Sequence, residues 1–213
     1  MISIQSVSKA YQGQQVLCDV SVQMQGGVIY GLVGPNGCGK TTLMRCICGL
    51  TRPTNGIVTV LGKRIGKECD FSPSTGIMLE TPGFLPHCSA RRNLRILAGV
   101  SGKATKARID EVIGLVGLDP ADQKPAGKYS LGMRQRLGIA QAILEDPQIL
   151  ILDEPFNGLD KDGIAHMHAL LQNLKNQGKC ILLASHSALD IAQACDKVYT
   201  FQQGKLIQEE EKS

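Results

Sequence analysis

Two stretches of this 213-residue chain carry residue types at spacings suited to phosphate chemistry. The first is Gly34-Pro35-Asn36-Gly37-Cys38-Gly39-Lys40-Thr41-Thr42, which fits the pattern G-x-x-x-x-G-K-[ST]. Its glycines let backbone N–H groups converge on one centre, and the start of a following helix adds partial positive charge there. Lys40 is expected to reach the β- and γ-phosphates of a nucleotide, and the Thr41 hydroxyl to hold Mg²⁺. The second stretch, Gln148-Ile149-Leu150-Ile151-Leu152-Asp153-Glu154-Pro155, is an apolar run ending in two acids. Asp153 suits Mg²⁺, directly or through water. Glu154 points differently and suits polarising an attacking water, a role typically worth ~10²–10⁴ in rate.

These residues need a scaffold, and the flanking patterns supply one. Val28–Val33 reads as a strand feeding the glycine-rich loop, and Thr41–Leu50 as the helix leaving it. Further strand candidates are Ile2–Gln5, Val16–Met24, Ile57–Leu61, Gly76–Leu79, Gln148–Leu152, Cys180–Ala184 and Lys197–Phe201. Helical spacing links Leu43, Ile47 and Leu50, and then Ile109, Val112, Ile113 and Val116. It recurs in Leu137, Ala140 and Leu144, and in Ile164, Met167, Leu171 and Leu174. Alternation of the two patterns predicts an α/β layer structure. From about 88 to 146 only helical patterns occur, which reads as a helical insertion into a parallel-sheet core. Acids at the carboxyl end of a central strand then lie where open α/β sheets bind ligands. The tail Glu209–Ser213 reads as solvated or frayed.

Composition narrows the partners. A formal charge of +4 with no dense Lys/Arg run gives nucleic-acid binding no electrostatic support, so no nucleic acid is expected as partner. The N-terminus lacks a basic leader and an apolar core. No apolar stretch approaches the ~18 residues of a membrane span, so any membrane role is expected to be peripheral. The eight cysteines are scattered and read as reduced core thiols. Cys38 reads in two ways: as a reactive thiol beside Lys40 at a helix start, whose labelling blocks nucleotide binding and is prevented by ATP, or as a Ser-like spacer with no special chemistry. His87, His166 and His168 read as surface or packing residues, not as a metal site.

The segment Tyr129-Ser130-Leu131-Gly132-Met133-Arg134-Gln135-Arg136 separates the classes of phosphate-loop protein. It resembles the signature Leu-Ser-Gly-Gly-Gln-x-Gln-Arg of ABC ATPases, with Ser130, Gly132, Gln135 and Arg136 kept. The resemblance covers essentially the whole chain. It implies a P-loop NTPase core, made of a mostly parallel sheet with flanking helices and an N-terminal antiparallel β-subdomain, plus an inserted α-helical subdomain. Residues 1–87 and 147–213 would form the RecA-like core with its β-subdomain, and 88–146 the helical signature subdomain, in one ABC ATPase domain. The implied ligand is ATP with Mg²⁺, and Tyr11 takes the place of the aromatic that stacks on adenine. Ser130 and Gly132 would bind the γ-phosphate held by a partner, and Asp160 in Phe156–Asp160 would contact the partner's site. His186 would bond the γ-phosphate and help hold Glu154. The implied assembly is a homodimer or pseudo-dimer on a polytopic membrane permease, at the inner face of the cell membrane. Soluble ABC ATPases usually carry two cassettes or long insertions, which this chain lacks.

Two departures refine the resemblance. Leu131 and Met133 replace a signature glycine and glutamine, and Glu80 stands where ABC ATPases normally carry the Gln that contacts Mg²⁺. Glu80-Thr81-Pro82-Gly83-Phe84 together with Ser130–Arg136 is similar to the ATPase subunits of bacterial exporters for resistance or immunity to peptide antibiotics, of bacitracin or lantibiotic type. Glu80 is therefore expected to be functional, and to require the metal more strictly than Gln would. A membrane subunit is expected to dock near Glu80–Pro86, with Phe84 and Leu85 as exposed apolar contacts.

Overall fold

Burial alternates along the first strands and is continuous along the later central ones, and this difference sorts the chain into two sheets. In the computed structural model, which describes residues 1–80, 83–102 and 104–211, strands β1 (Ile2–Tyr11) and β2 (Gln14–Met24) form an N-terminal hairpin. Strand β3 (Val28–Val33) leads to helix α1 (Lys40–Cys48), followed by β4 (Asn55–Val60), β5 (Lys63–Arg64) and β6 (Thr75–Met78). Helices α2 (Ala90–Ser101) and α3 (Lys106–Leu115), a 3₁₀ turn (Ala126–Lys128) and α4 (Leu131–Ile143) come next, with no strand among the described residues between β6 and β7 (Ile149–Asp153). The chain ends with α5 (Lys161–Asn176), β8 (Cys180–Ser185), α6 (Ala188–Ala194), β9 (Lys197–Gln202) and β10 (Lys205–Glu211).

The antiparallel sheet runs β2-β1-β4-β5 and the larger sheet β10-β9-β3-β8-β7-β6, parallel except for β10. Strands β7 and β8 are buried at every residue, as strands covered on both faces must be. One core packs α2–α6 on the sheet through Leu94, Val112, Leu137, Leu152 and Leu171. A second packs α1 and the antiparallel sheet on the other face through Ile4, Leu17, Leu43, Ile47 and Ile151. These layers match the α/β architecture expected from the sequence.

Several boundaries move. Strand β1 runs on to Tyr11 because a bulge at Ser6 (φ 48°) breaks the alternation, and Ser21 Oγ takes up the Ser6 N–H at 2.9 Å. Helix α1 stops at Cys48, where Gly49 turns left-handed (φ 82°) and leaves Leu50 exposed rather than on a buried face. The two-residue β5 is too short to show a period. Residues 209–211, read as solvated, instead pair as β10 along β9, since backbone bonding tolerates acidic residues on an edge strand. Residues 212 and 213 lie outside the described residues.

Gly76 in β6 passes so close to α4 that an added Cβ would collide with the carbonyl of Ala142. Gly76→Ala is therefore expected to cost about 1–3 kcal/mol by forcing β6 and α4 apart. Thermal denaturation should show it as a fall of about 2–4 °C per kcal/mol.

Candidate functional site

Four neighbouring parallel strands end at one edge, and each delivers polar residues there. The glycine-rich loop follows β3, Ser185 and His186 close β8, Asp153 and Glu154 close β7, and Glu80 lies two residues past β6. A cleft of about 360 Å³ opens at this edge, walled by Asn36, Gly37, Gly39, Lys40, Thr41, Thr42, Glu80, Asp153 and Glu154, with Leu131, Arg134 and Gln135 of α4 closing one side.

The loop keeps its shape because side chains are excluded from it. Gly39 sits at φ 115°, and a Cβ there would lie 2.8 Å from both the Val16 carbonyl and the Phe201 ring. A Cβ on Gly34 would collide with the Phe201 carbonyl oxygen. Lys40 is buried, and its ammonium donates to the carbonyls of Gly34 (2.6 Å) and Pro35 (3.1 Å), which fixes the charge beneath the loop. Helix α1 begins at this residue, so its N–H groups and positive end face the same cleft.

Thr41 Oγ1 donates to Asp153 Oδ2 at 2.6 Å. Burial pushes the Asp153 carboxyl above the ordinary value, opposed by the Thr41 hydrogen bond and Lys40 and reinforced by Glu154 and Glu80. This set of hard oxygens suits Mg²⁺, and the crowded carboxylates would be relieved by a divalent cation. No cluster of three or more acidic, His or Cys side chains forms a cage among the described residues. A Thr hydroxyl and a carboxylate supply only part of the shell of such a cation, which suits an ion completed by waters or phosphate oxygens.

Glu154 is held from three sides. Its Oε2 accepts from Ser185 Oγ (2.9 Å), and its Oε1 from the His186 backbone N–H (2.8 Å) and His186 Nδ1 (2.8 Å). A carboxylate only accepts, so Nδ1 of His186 is the donor in this contact. The Glu154 backbone is left-handed (φ 50°), a conformation costing about 1–3 kcal/mol. Its N–H bonds Ala184 O at 2.8 Å, and its carbonyl accepts from Gln135 Nε2 at 2.6 Å. Gln135 and Ser185 were not assigned roles from sequence. Gln135 stands inside the quoted signature, and Ser185 is a buried polar residue at the end of an otherwise apolar strand, one place past where that strand was read to stop.

Other expected residues fall elsewhere. Ser130 caps α4, its Oγ accepting from Met133 N at 3.2 Å, and with Gly132, Arg136 and Asp160 it lines a separate groove. Asp160 caps α5 through Gly163 N at 2.9 Å and is largely exposed. Tyr11 is not in the cleft wall. It lies at the β1–β2 turn, half-exposed, with the Lys9 ammonium 4.7 Å over its ring and its hydroxyl 3.4 Å from Thr51. Glu80 reaches the wall with a left-handed backbone (φ 57°), but Arg45 of α1 bonds its Oε1 at 2.7 Å. Thr81 and Pro82 lie outside the described residues. Phe84 is half-buried against the helical core, not an exposed contact, whereas Leu85 is exposed. Asn93, buried in α2, holds the loop at 85–89 by donating to Leu85, Cys88 and Ser89 carbonyls and accepting from Leu85 N. His166 bonds Leu115 O at 2.8 Å, and His168 packs edge-on against Phe156.

Cys38 departs from its reactive reading. Only 8% of it is exposed, and its thiol is in the core beneath the loop, 3.9 Å from Lys40 Nζ. It packs in the core beside α1 and is not among the residues that wall the cleft.

Comparison with known proteins agrees with this arrangement. A family profile described as ABC transporter matches residues 17–157. The chain is 40% identical to an uncharacterized ABC transporter ATP-binding protein, YybJ, of Bacillus subtilis (strain 168), over 97% of this chain and 94% of that one. It is 41% identical to the bacitracin transport ATP-binding protein BcrA of Bacillus licheniformis, over 98% of this chain and 69% of that one. It is 34% identical to the lantibiotic transport ATP-binding protein SrtF of Streptococcus pyogenes, over 99% and 91%. A solved ATP-binding subunit of an ABC transporter superposes with a TM-score of 0.88 at 27% identity, covering 99% of this chain and 90% of that one.

The inward thiol gives a direct test. In the folded protein, maleimide should modify Cys38 at least about tenfold more slowly than the half-exposed Cys88, because only an accessible thiolate reacts. Peptide mass spectrometry over a labelling time course measures both rates, and equal rates would show that the loop opens.

Proposed function

The chain belongs to the ABC transporter family as an ATP-binding, ATP-hydrolysing subunit, and on that premise we propose that it powers a bacterial exporter conferring resistance or immunity to peptide antibiotics. The observation that carries the catalytic part is the Glu154 carboxylate, fixed by Ser185 and His186 in the cleft that also holds Lys40 and Thr41. The cargo reading is supported by the likeness to bacitracin and lantibiotic transport proteins over nearly the whole chain, and by Glu80.

Lys40 and the loop N–H groups bind the phosphates, and Glu154 orients the attacking water and accepts its proton at a carboxylate oxygen. Phosphoryl transfer asks for positioning and charge stabilisation more than covalent chemistry. Thr41 and Asp153 would hold Mg²⁺, which would supply charge neutralisation at the phosphates. His186 restrains Glu154 through Nδ1–H, and its doubly protonated ring would donate from Nε2 to the γ-phosphate. Tyr11 swings from Lys9 to stack on adenine.

Two subunits act together. Within one chain, Ser130, Gly132 and Asp160 line a groove distinct from the Lys40 cleft, which supports a site completed by the signature residues of a partner. Residues 88–146 act as a helical subdomain that moves against the core formed by 1–87 and 147–213. A membrane permease docks where Gly83, Phe84, Leu85, Ile96 and Leu97 line a groove of about 230 Å³. No helix among the described residues is long and apolar enough to cross a membrane, so attachment at the inner face comes through that permease.

Glu154→Gln should retain ATP-dependent dimers by size exclusion while turnover falls by at least about 10²-fold. Loss of dimers with turnover retained would overturn the shared-site reading. Ser185→Ala, which removes one of the donors that aim Glu154, should lower kcat about tenfold with KM for ATP little changed, because it acts on the step and not on nucleotide binding. Co-purification with a polytopic membrane protein tests the transporter role.

A further inference from the structure

Glu80 borders two cavities. It lines the phosphate cleft, and with Arg45 it also lines a neighbouring groove of about 280 Å³ bounded by Ile77–Leu79, Gly83, Gly138 and Gln141. Arg45 lies one turn along α1 from Thr41, so the helix that presents the hydroxyl to Asp153 also presents a guanidinium to Glu80, 2.7 Å from Oε1. Both side chains are substantially exposed, 43% and 59%, and an exposed pair of this kind contributes little to fold stability. Its location is what matters. Glu80 is a third carboxylate beside Asp153 and Glu154 in a cleft built to receive phosphates. Left unmasked, its negative charge would oppose a triphosphate. The bond to Arg45 leaves the carboxylate in the wall but sets a positive charge directly against it, and it anchors the side chain of a residue whose backbone is left-handed.

We propose that Arg45 is the positioning partner of Glu80, masking its charge from the phosphates and thereby setting how strictly nucleotide binding depends on Mg²⁺. The inference rests on the ATP-binding reading above. Without Arg45, the exposed carboxylate repels the nucleotide, and Mg²⁺ bound to the phosphates offsets that repulsion in part. With Gln at position 80 there is no charge to mask, and Arg45 becomes dispensable.

Four proteins test this: wild type, Arg45→Gln, Glu80→Gln and the double variant. ATP binding is measured by calorimetry in EDTA and in Mg²⁺, and thermal unfolding without nucleotide reports the fold. Arg45→Gln should weaken binding about tenfold in EDTA and at most about threefold in Mg²⁺, and by less than about twofold when Glu80 is already Gln. Arg45→Lys, which keeps the charge, should stay within about threefold of wild type. An equal loss in both backgrounds would overturn the proposal, since Arg45 would then act without Glu80, and so would no loss in either. If Arg45→Gln does not fold, Glu80→Gln alone decides, because it should bind ATP at least as tightly as wild type in EDTA, and weaker binding would refute the masking role. A wild-type protein that binds no ATP in either condition would instead refute the underlying nucleotide site.

Discussion

The hydrogen bond from Thr41 to Asp153 joins residues 112 positions apart, and it exists only because β3 and β7 end level with β8 between them. Parallel strands with aligned registers bring their carboxyl ends to one edge, and each chain turn there can place a polar residue without burying it in the sheet. That constraint explains the composition of the site. Strands β7 and β8 are apolar up to their last residue because both faces are covered, and chemistry begins at that residue. Asp153 is the last residue of β7 and Ser185 the last of β8, whereas Glu154 and His186 are the first residues past each.

Much of this was legible in the sequence because its signals are local. The glycine-rich loop and the apolar strand with its terminal acids are each contiguous, so spacing alone identifies them. What was missed depends on contacts across the fold. Arg45 meets Glu80 from 35 residues away, and Gln135 meets the Glu154 carbonyl from 19. No periodicity announces either. The two readings of Cys38 could not be separated in the sequence, because residue type and neighbours do not say whether the thiol is buried in the core. The edge strand β10 was misread because acidic composition says how side chains are solvated and nothing about whether backbone groups are paired.

The surroundings of Glu154 show how a strained residue is kept in place. Its left-handed backbone is anchored on both sides, by Ala184 O on one peptide group and by Gln135 on the other, before its carboxylate is aimed by Ser185 and His186. Gln135 belongs to α4, whose first turn carries Ser130 and Gly132. A displacement of that helix therefore pulls on the Glu154 peptide directly. The link needs no chain of intermediates, since one side-chain amide spans the two elements.

The acidic ending of β10 has a consequence for assembly. A sheet's outermost strand leaves a row of backbone donors and acceptors that another chain can pair with, and such pairing propagates into aggregates. Here the larger sheet terminates in β10, where Glu209, Glu210 and Glu211 fall in succession. Charged residues along an outermost strand discourage that pairing, so this acidic run makes the end of β10 a poor template for a further strand.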